Sequence, residues 1–124
     1  MVMRMELYCR TRFVAYHKWK DAPDEYKYLS NIHRHEFHVE IAIRVETSNR
    51  AVEFQHLKND VDQLIKREWY YSINSTQSNP VPIEASCELM AAQLASHLRE
   101  YAYNVTMVDV SEDGECGGRV TYNV

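Results

Sequence analysis

Three histidines, His17, His33 and His35, have the residue type and spacing expected of a metal site. A neutral imidazole nitrogen is the commonest metal ligand in proteins, and three with an open fourth position are typical of a catalytic zinc site. A single histidine on an apolar face is more often a core residue held by hydrogen bonds. That interpretation is kept for the other three histidines, His38, His56 and His97.

Two segments with alternating apolar residues carry the three histidines. The first has apolar residues at most odd positions of 3–15, and His17 continues that phase. The second has them at the odd positions of 37–45, and His33 and His35 precede it in the same phase. Such alternation predicts half-buried strands. If the strands are antiparallel neighbours, the imidazoles converge at one rim of the inner face.

Two later segments have the apolar spacing of amphipathic helices. The first, at roughly 52–69, has its stripe at Phe54, Leu57, Val61, Leu64 and Ile65. The second, at roughly 85–103, has its stripe at Met90, Leu94, Leu98 and Ala102. Between the first two strands, residues 18–32 have turn chemistry and no sustained period, which predicts a loop.

Two short strands are predicted at 105–110 and 119–124, joined by the turn EDGECGG. The order is then ββααββ, with no internal repeat or linker. We therefore expect a single α+β domain over residues 1–124, with a four-stranded antiparallel sheet and both helices on one face.

Composition excludes several classes of partner. The net charge of −4 leaves no basic face for a nucleic acid. No segment approaches the ~18 apolar residues that span a bilayer, and the N-terminus lacks an apolar signal core, so we expect a cytoplasmic protein without a membrane partner. The cysteines Cys9, Cys87 and Cys116 lack metal-ligand spacing, and we expect reduced structural thiols.

Several motifs resemble the 6-pyruvoyl-tetrahydropterin synthase and 6-carboxy-tetrahydropterin synthase family. FVAYH and IHRHEFHVEI are similar to its metal-binding signature, EFQHLKNDVDQLI and SCELMAAQL to the openings of its two helices, and VDVSED to a strand that ends in a ring-binding glutamate. The resemblance implies a tunnelling fold (T-fold), assembly into trimers or hexamers with sites at subunit boundaries, and a pathway of the queuosine or tetrahydrobiopterin type.

The resemblance also implies roles for individual residues. His17, His33 and His35 would hold one zinc ion per chain. Glu112 would pair with the amino-pyrimidinone edge of a pterin-like ring, because a carboxylate accepts two N–H donors in bidentate fashion. Glu88 is a second ligand candidate. The simpler alternatives are a solvated turn carboxylate for Glu112 and a charge that favours the helix dipole for Glu88.

The chain departs from the family pattern where the family moves protons. Leu29 occupies the place of the family's general-base cysteine, and Trp69 and Tyr70 occupy that of its Asp-His pair. Arg34 replaces the glycine between the paired histidines and adds a cation near the metal rim. Replacement groups for proton transfer are sought at Tyr70, Asp24 and Glu25.

Two functions remain open from the sequence. One is a metal-dependent lyase of the pterin type, acting on a reduced pterin or related purine-derived heterocycle with the usual proton relay replaced. The other is a non-catalytic zinc-containing protein that binds or sequesters a pterin-like or guanine-like small molecule. Both require the same metal and ring sites, and turnover separates them.

Overall fold

The computed structural model describes residues 3–47 and 52–123. Its four strands form one antiparallel sheet in the order β1-β2-β3-β4. The strands are β1 (Met5–His17), β2 (His33–Val45), β3 (Val105–Glu112) and β4 (Cys116–Thr121). The helices are α1 (Phe54–Glu68), α2 (Tyr70–Ile73) and α3 (Cys87–Glu100), and a 3₁₀ helix covers Asp24–Ser30.

This architecture confirms the predicted α+β fold with a four-stranded antiparallel sheet. The odd positions of β2 from Phe37 to Ile43 are buried, as expected for a strand with one face against a core. α1 packs on β1, and α3 packs on β3 and β4, so the sheet and helices share one apolar core. Among the described residues, no helix is long and apolar enough to cross a membrane.

Both main helices are shorter than their predicted ranges. α1 buries Leu57, Val61, Leu64 and Ile65, but Phe54, in its first turn, is 54% exposed. The predicted stripe of α3 is buried except for Ala102, which lies beyond the helix end. Ala102 has a φ of 66°, the left-handed conformation in which helices commonly end.

The segment predicted as a loop between β1 and β2 contains the 3₁₀ helix, and α2 is an additional short helix. The last hairpin also differs from the prediction, because its turn is confined to Asp113, Gly114 and Glu115. Asp113 and Gly114 have φ values of 57° and 73°, as tight hairpin turns require. β4 therefore begins at Cys116 and ends at Thr121, and Val124 lies outside the described residues.

Gly118 shows why residues that resemble a turn lie in a strand. A Cβ atom at Gly118 would lie 2.6 Å from both the Cα and the main-chain nitrogen of Glu88, at the start of α3. Only glycine lets the helix approach β4 this closely. The approach sets the N-terminal end of α3 directly against the sheet, beside the rim that carries the histidines.

Candidate metal centre

Pairing of β1 with β2 brings the three histidines to one rim of the sheet. His17 is paired with His33, and Ala15 is paired with His35. One ligand atom from each histidine lies within 4.8 Å of those of the other two. We refer to His17, His33 and His35 as the histidine cluster.

Main-chain carbonyl groups fix two of the imidazoles. His17 Nε2 lies 3.0 Å from the carbonyl oxygen of Ala85, and His33 Nδ1 lies 2.8 Å from that of Asn31. Because a carbonyl oxygen only accepts, each of these ring nitrogens carries the proton and donates it. In the neutral rings, the opposite nitrogens, His17 Nδ1 and His33 Nε2, then have lone pairs, and they lie 3.3 Å apart.

A carboxylate from the turn between β3 and β4 fixes the third imidazole. His35 Nδ1 lies 2.8 Å from Asp113 Oδ2, and Asp113 Oδ1 accepts a hydrogen bond from the main-chain N–H of Glu36 at 3.0 Å. The pKa of Asp113 is lowered, first by that main-chain N–H and then by His35. An ionised carboxylate on one ring nitrogen orients the other toward a metal ion.

The donor set of the histidine cluster fits a divalent metal ion. Two lone pairs facing each other at 3.3 Å repel unless a proton or a metal ion lies between them. Burial lowers the pKa of His17, and His33 and His35 act in the same direction, against the Ala85 carbonyl and the Glu112 carboxylate. A lowered pKa favours the neutral ring that binds metals, and three imidazole nitrogens suit zinc.

A cavity of about 470 Å³ adjoins the histidine cluster. Its volume lies within the range of small-molecule sites. Trp19 and Leu29 supply apolar surface, and Trp19 stacks on Tyr26 with ring centroids 6.3 Å apart. The lining residues are His17, Lys18, Trp19, Leu29, His33, Glu84, Ser86, Cys87, Glu88, Glu112, Cys116 and Gly117.

Both glutamates singled out in the sequence line this cavity. The Glu112 side chain is 32% exposed and lies beside His17 and His35. Glu88 is exposed in the first turn of α3, where its own main-chain N–H and then the hydroxyl of Ser86 lower its pKa. Glu88 therefore occupies the helix-start position expected from the alternative interpretation, and it also faces the cavity.

The three candidates for proton transfer lie elsewhere. Asp24 and Glu25 are exposed on the 3₁₀ helix, and Tyr70 is 56% exposed at the start of α2. None of the three is among the described residues that line the cavity. Within one chain, the structure does not bring them to the histidine cluster.

The structure places three of the positions that depart from the family pattern. Leu29 lines the cavity, so an apolar side chain lies where the resemblance places a cysteine. Trp69 is buried and stacks on Phe13 with ring centroids 5.6 Å apart. Arg34 is exposed, and its partner Tyr16 is on the strand positions that alternate with His17. Arg34 therefore lies on the sheet face opposite the histidine cluster.

Sequence reasoning missed two thiols at the cavity. Cys87 is buried, and burial, followed by the charges of Glu112 and Glu88, raises its pKa to about 12. Cys116 is exposed at the start of β4. The position of Cys87 next to Glu88 could have indicated that this thiol lies at the cavity. The carbonyl groups that anchor the imidazoles could not be predicted, because every residue has a main-chain carbonyl group.

Comparisons with known proteins agree with this architecture. The model of the family described as 6-pyruvoyl tetrahydropterin synthase matches residues 6–123. No curated protein matches the chain. A crystal structure of an uncharacterized protein from Wolinella succinogenes is similar with a TM-score of 0.70 and 12% identity, covering 98% of this chain and 100% of that one. At that identity, the similarity is one of fold.

Proposed function

Because the chain belongs to the 6-pyruvoyl tetrahydropterin synthase family, we propose that it acts as a carbon–oxygen lyase on a reduced pterin or a related purine-derived heterocycle. The observation that carries the proposal is the convergence of three imidazole lone pairs at the rim of a cavity that also exposes Glu112. Zinc is the expected metal, and the cytoplasm is the expected location.

The histidines would hold the ion, and the hydrogen bonds that two of the rings donate to the carbonyl oxygens of Ala85 and Asn31 fix their orientation. When bound, zinc supplies Lewis-acid polarisation of an oxygen on the substrate side chain. The protein's own contribution is to hold the three rings in the orientation that would bind the ion. Asp113 orients His35 through its carboxylate.

The carboxylates of the cavity would recognise the ring. Glu112 would accept two N–H donors from an amino-pyrimidinone edge, and Glu88 is the second candidate for a polar contact. Trp19 and Leu29 offer apolar surface for the flat faces of a heterocycle. A planar ring with one donor-rich edge matches this combination of walls and acceptors.

Proton transfer requires an acid–base group, and Leu29, in the place of the family's cysteine, cannot act as one. Tyr70, Asp24 and Glu25 would reach a substrate only across a subunit boundary, since none lines the cavity of its own chain. General acid–base groups typically supply ~10²–10⁴-fold each, so we expect turnover of dihydroneopterin triphosphate far below that of a family member with the full relay.

A non-catalytic binding protein is the second candidate, and the apolar Leu29 at the cavity favours it. The test is to incubate zinc-loaded protein with dihydroneopterin triphosphate, following product by chromatography, and to measure neopterin binding by calorimetry. Product formation supports the lyase, and binding without product supports the second candidate. Neither binding nor turnover would contradict both.

Self-association into trimers or hexamers is part of the same proposal. β1 and β4 are the edges of the four-stranded sheet, and unpaired edges are a liability that barrel closure removes. Light scattering at micromolar concentration should give the mass of three or six chains. A monomer would contradict both the barrel and a site shared between subunits.

A further inference from the structure

The Glu112 carboxylate faces the same point as the histidine cluster. Glu112 is paired with Phe37, two residues after His35, so its side chain is on the histidines' face of the sheet. Glu112 Oε1 lies 3.6 Å from His17 Nδ1, and Glu112 Oε2 lies 3.4 Å from His35 Nε2. In each of these two rings the other nitrogen makes the hydrogen bond, to the Ala85 carbonyl from His17 and to the Asp113 carboxylate from His35.

Three of the separations in this group are close to those between the ligands of one zinc ion, and the three histidine ligand atoms lie within 4.8 Å of one another. In a tetrahedral site with ligand distances of about 2.0–2.1 Å, neighbouring ligand atoms are about 3.3 Å apart. The separation between His17 Nδ1 and His33 Nε2 is 3.3 Å, and the two separations from Glu112 are 3.4 and 3.6 Å. A carboxylate oxygen is also an ordinary zinc ligand.

We propose that, in the ligand-free protein, Glu112 is the fourth metal ligand beside His17, His33 and His35, and that a bound heterocycle removes it from the metal. The second half rests on the proposed function, because it requires the ring to bind at Glu112. A bidentate grip on the ring uses both carboxylate oxygens, so the two roles exclude each other. Binding of the ring therefore opens the fourth position of the metal.

The backbone around Glu112 is fixed, so the exchange needs only side-chain torsions. The main-chain N–H of Asp113 donates to the carbonyl of Glu36 at 2.7 Å, and the Asp113 carboxylate holds Glu36 and His35. The main-chain N–H of Glu115 closes the turn on the carbonyl of Glu112 at 3.0 Å. The Glu112 side chain can therefore exchange between the metal and the ring by rotation about its own bonds, without movement of the backbone.

Metal affinity in the absence of any pterin tests the first half. The zinc dissociation constant is measured by competition with a chelator for the wild type, Glu112→Gln and the matched control Glu115→Gln, which removes one exposed carboxylate from the same hairpin. Glu112→Gln should weaken zinc binding at least tenfold, and Glu115→Gln by less than twofold. Equal affinities for Glu112→Gln and wild type would overturn the proposal.

The wild type gives a second measurement that does not depend on a variant folding. In cobalt-loaded wild-type protein, azide at millimolar concentration should leave the visible absorption unchanged, because Glu112 occupies the fourth position. In cobalt-loaded Glu112→Gln, azide should change the spectrum. A spectral change in the wild type at the same azide concentration would contradict a closed site.

The exchange is tested with unsubstituted pterin, which has no side chain to reach the metal. Zinc should weaken pterin binding to the wild type, and pterin should weaken zinc binding by the same factor, since coupling between two sites is reciprocal. The coupling should vanish in Glu112→Gln. Pterin affinity that is independent of zinc would overturn the exchange. Absence of pterin binding with and without zinc would overturn both the exchange and the ring site, while the zinc measurements still decide ligation.

Discussion

Two polar clusters lie on the inner side of the sheet, and they differ in how their hydrogen-bond donors and acceptors are arranged. Beneath α1, the hydroxyl of Thr11 and the ammonium group of Lys58 both donate to Asp62, and the hydroxyl of Tyr103 donates to Asp60. We call these five residues the α1 cluster. At the rim, the histidine cluster directs its N–H groups outward and its lone pairs toward one another.

The difference separates polar groups that satisfy one another within the chain from polar groups that could hold a metal ion. In the α1 cluster both hydroxyl groups and the ammonium group donate to carboxylates, so each group has a partner within the chain and the cluster stabilises the folded state. In the histidine cluster, acceptors face acceptors, and the arrangement becomes favourable when a cation enters. Removal of side chains should therefore affect stability at one cluster and metal binding at the other.

The largest effect is expected at the histidine cluster. The double variant His33→Ala, His35→Ala should lose the metal ion, from about one per chain to none, because a single imidazole is left. Elemental analysis of purified protein measures this. The control His38→Ala alters the opposite face of the same strand and should keep its metal. Undiminished metal in the double variant would contradict the assignment.

Removal of the metal should lower the free energy of unfolding by an amount set by the ratio of free zinc to its dissociation constant. At free zinc one thousand times the dissociation constant, zinc should stabilise the fold by about 4 kcal/mol. Denaturant titrations with zinc and with chelator measure the difference, which should be absent from the double histidine variant. A fold equally stable in both conditions would show that the converging lone pairs need no cation.

Asp62→Ala should lower the free energy of unfolding by about 1–3 kcal/mol, since Thr11 and Lys58 lose their shared acceptor in a part-buried site. Metal content should not change. The control Glu46→Ala removes a carboxylate that is 74% exposed and should alter stability by less than about 0.5 kcal/mol. Loss of metal in Asp62→Ala would mean that the two clusters are not independent.

Tyr103→Phe should have the smallest effect, a loss of about 1 kcal/mol from one hydrogen bond. Burial, followed by the bond to Asp60, raises the pKa of Tyr103, so the wild-type phenol stays protonated over the ordinary pH range. Urea titration of Tyr103→Phe at neutral pH measures the loss. A variant as stable as the wild type would remove Tyr103 from the α1 cluster.

The fold and the meeting of the histidines could be predicted because both follow from alternation along β1 and β2. One register, with His17 opposite His33, fixes the whole rim. The start of β4 could not be predicted, because its glycines resemble a turn. Gly118 is required by contact with Glu88, thirty residues earlier, and local sequence carries no signal for that contact.

The candidate site was predictable only in its side-chain types. The sequence singles out Glu112, but not the direction in which its carboxylate points or its distance from the imidazoles. The anchors Ala85 and Asn31 act through carbonyl groups, which every residue has. Asp24 and Glu25 were candidates for their side-chain type and Tyr70 for its place in the resemblance, and tertiary placement puts all three outside the cavity.

The two tryptophans of the chain give the protein a built-in optical reporter. Trp19 is 44% exposed and lines the cavity, whereas Trp69 is 8% exposed and stacked on Phe13 in the core. Indole emission shifts to shorter wavelength as its surroundings become less polar, so the red side of the fluorescence spectrum belongs to Trp19 and the blue side to Trp69. A ring that enters the cavity should quench the red side alone, while unfolding should shift the blue side toward the red.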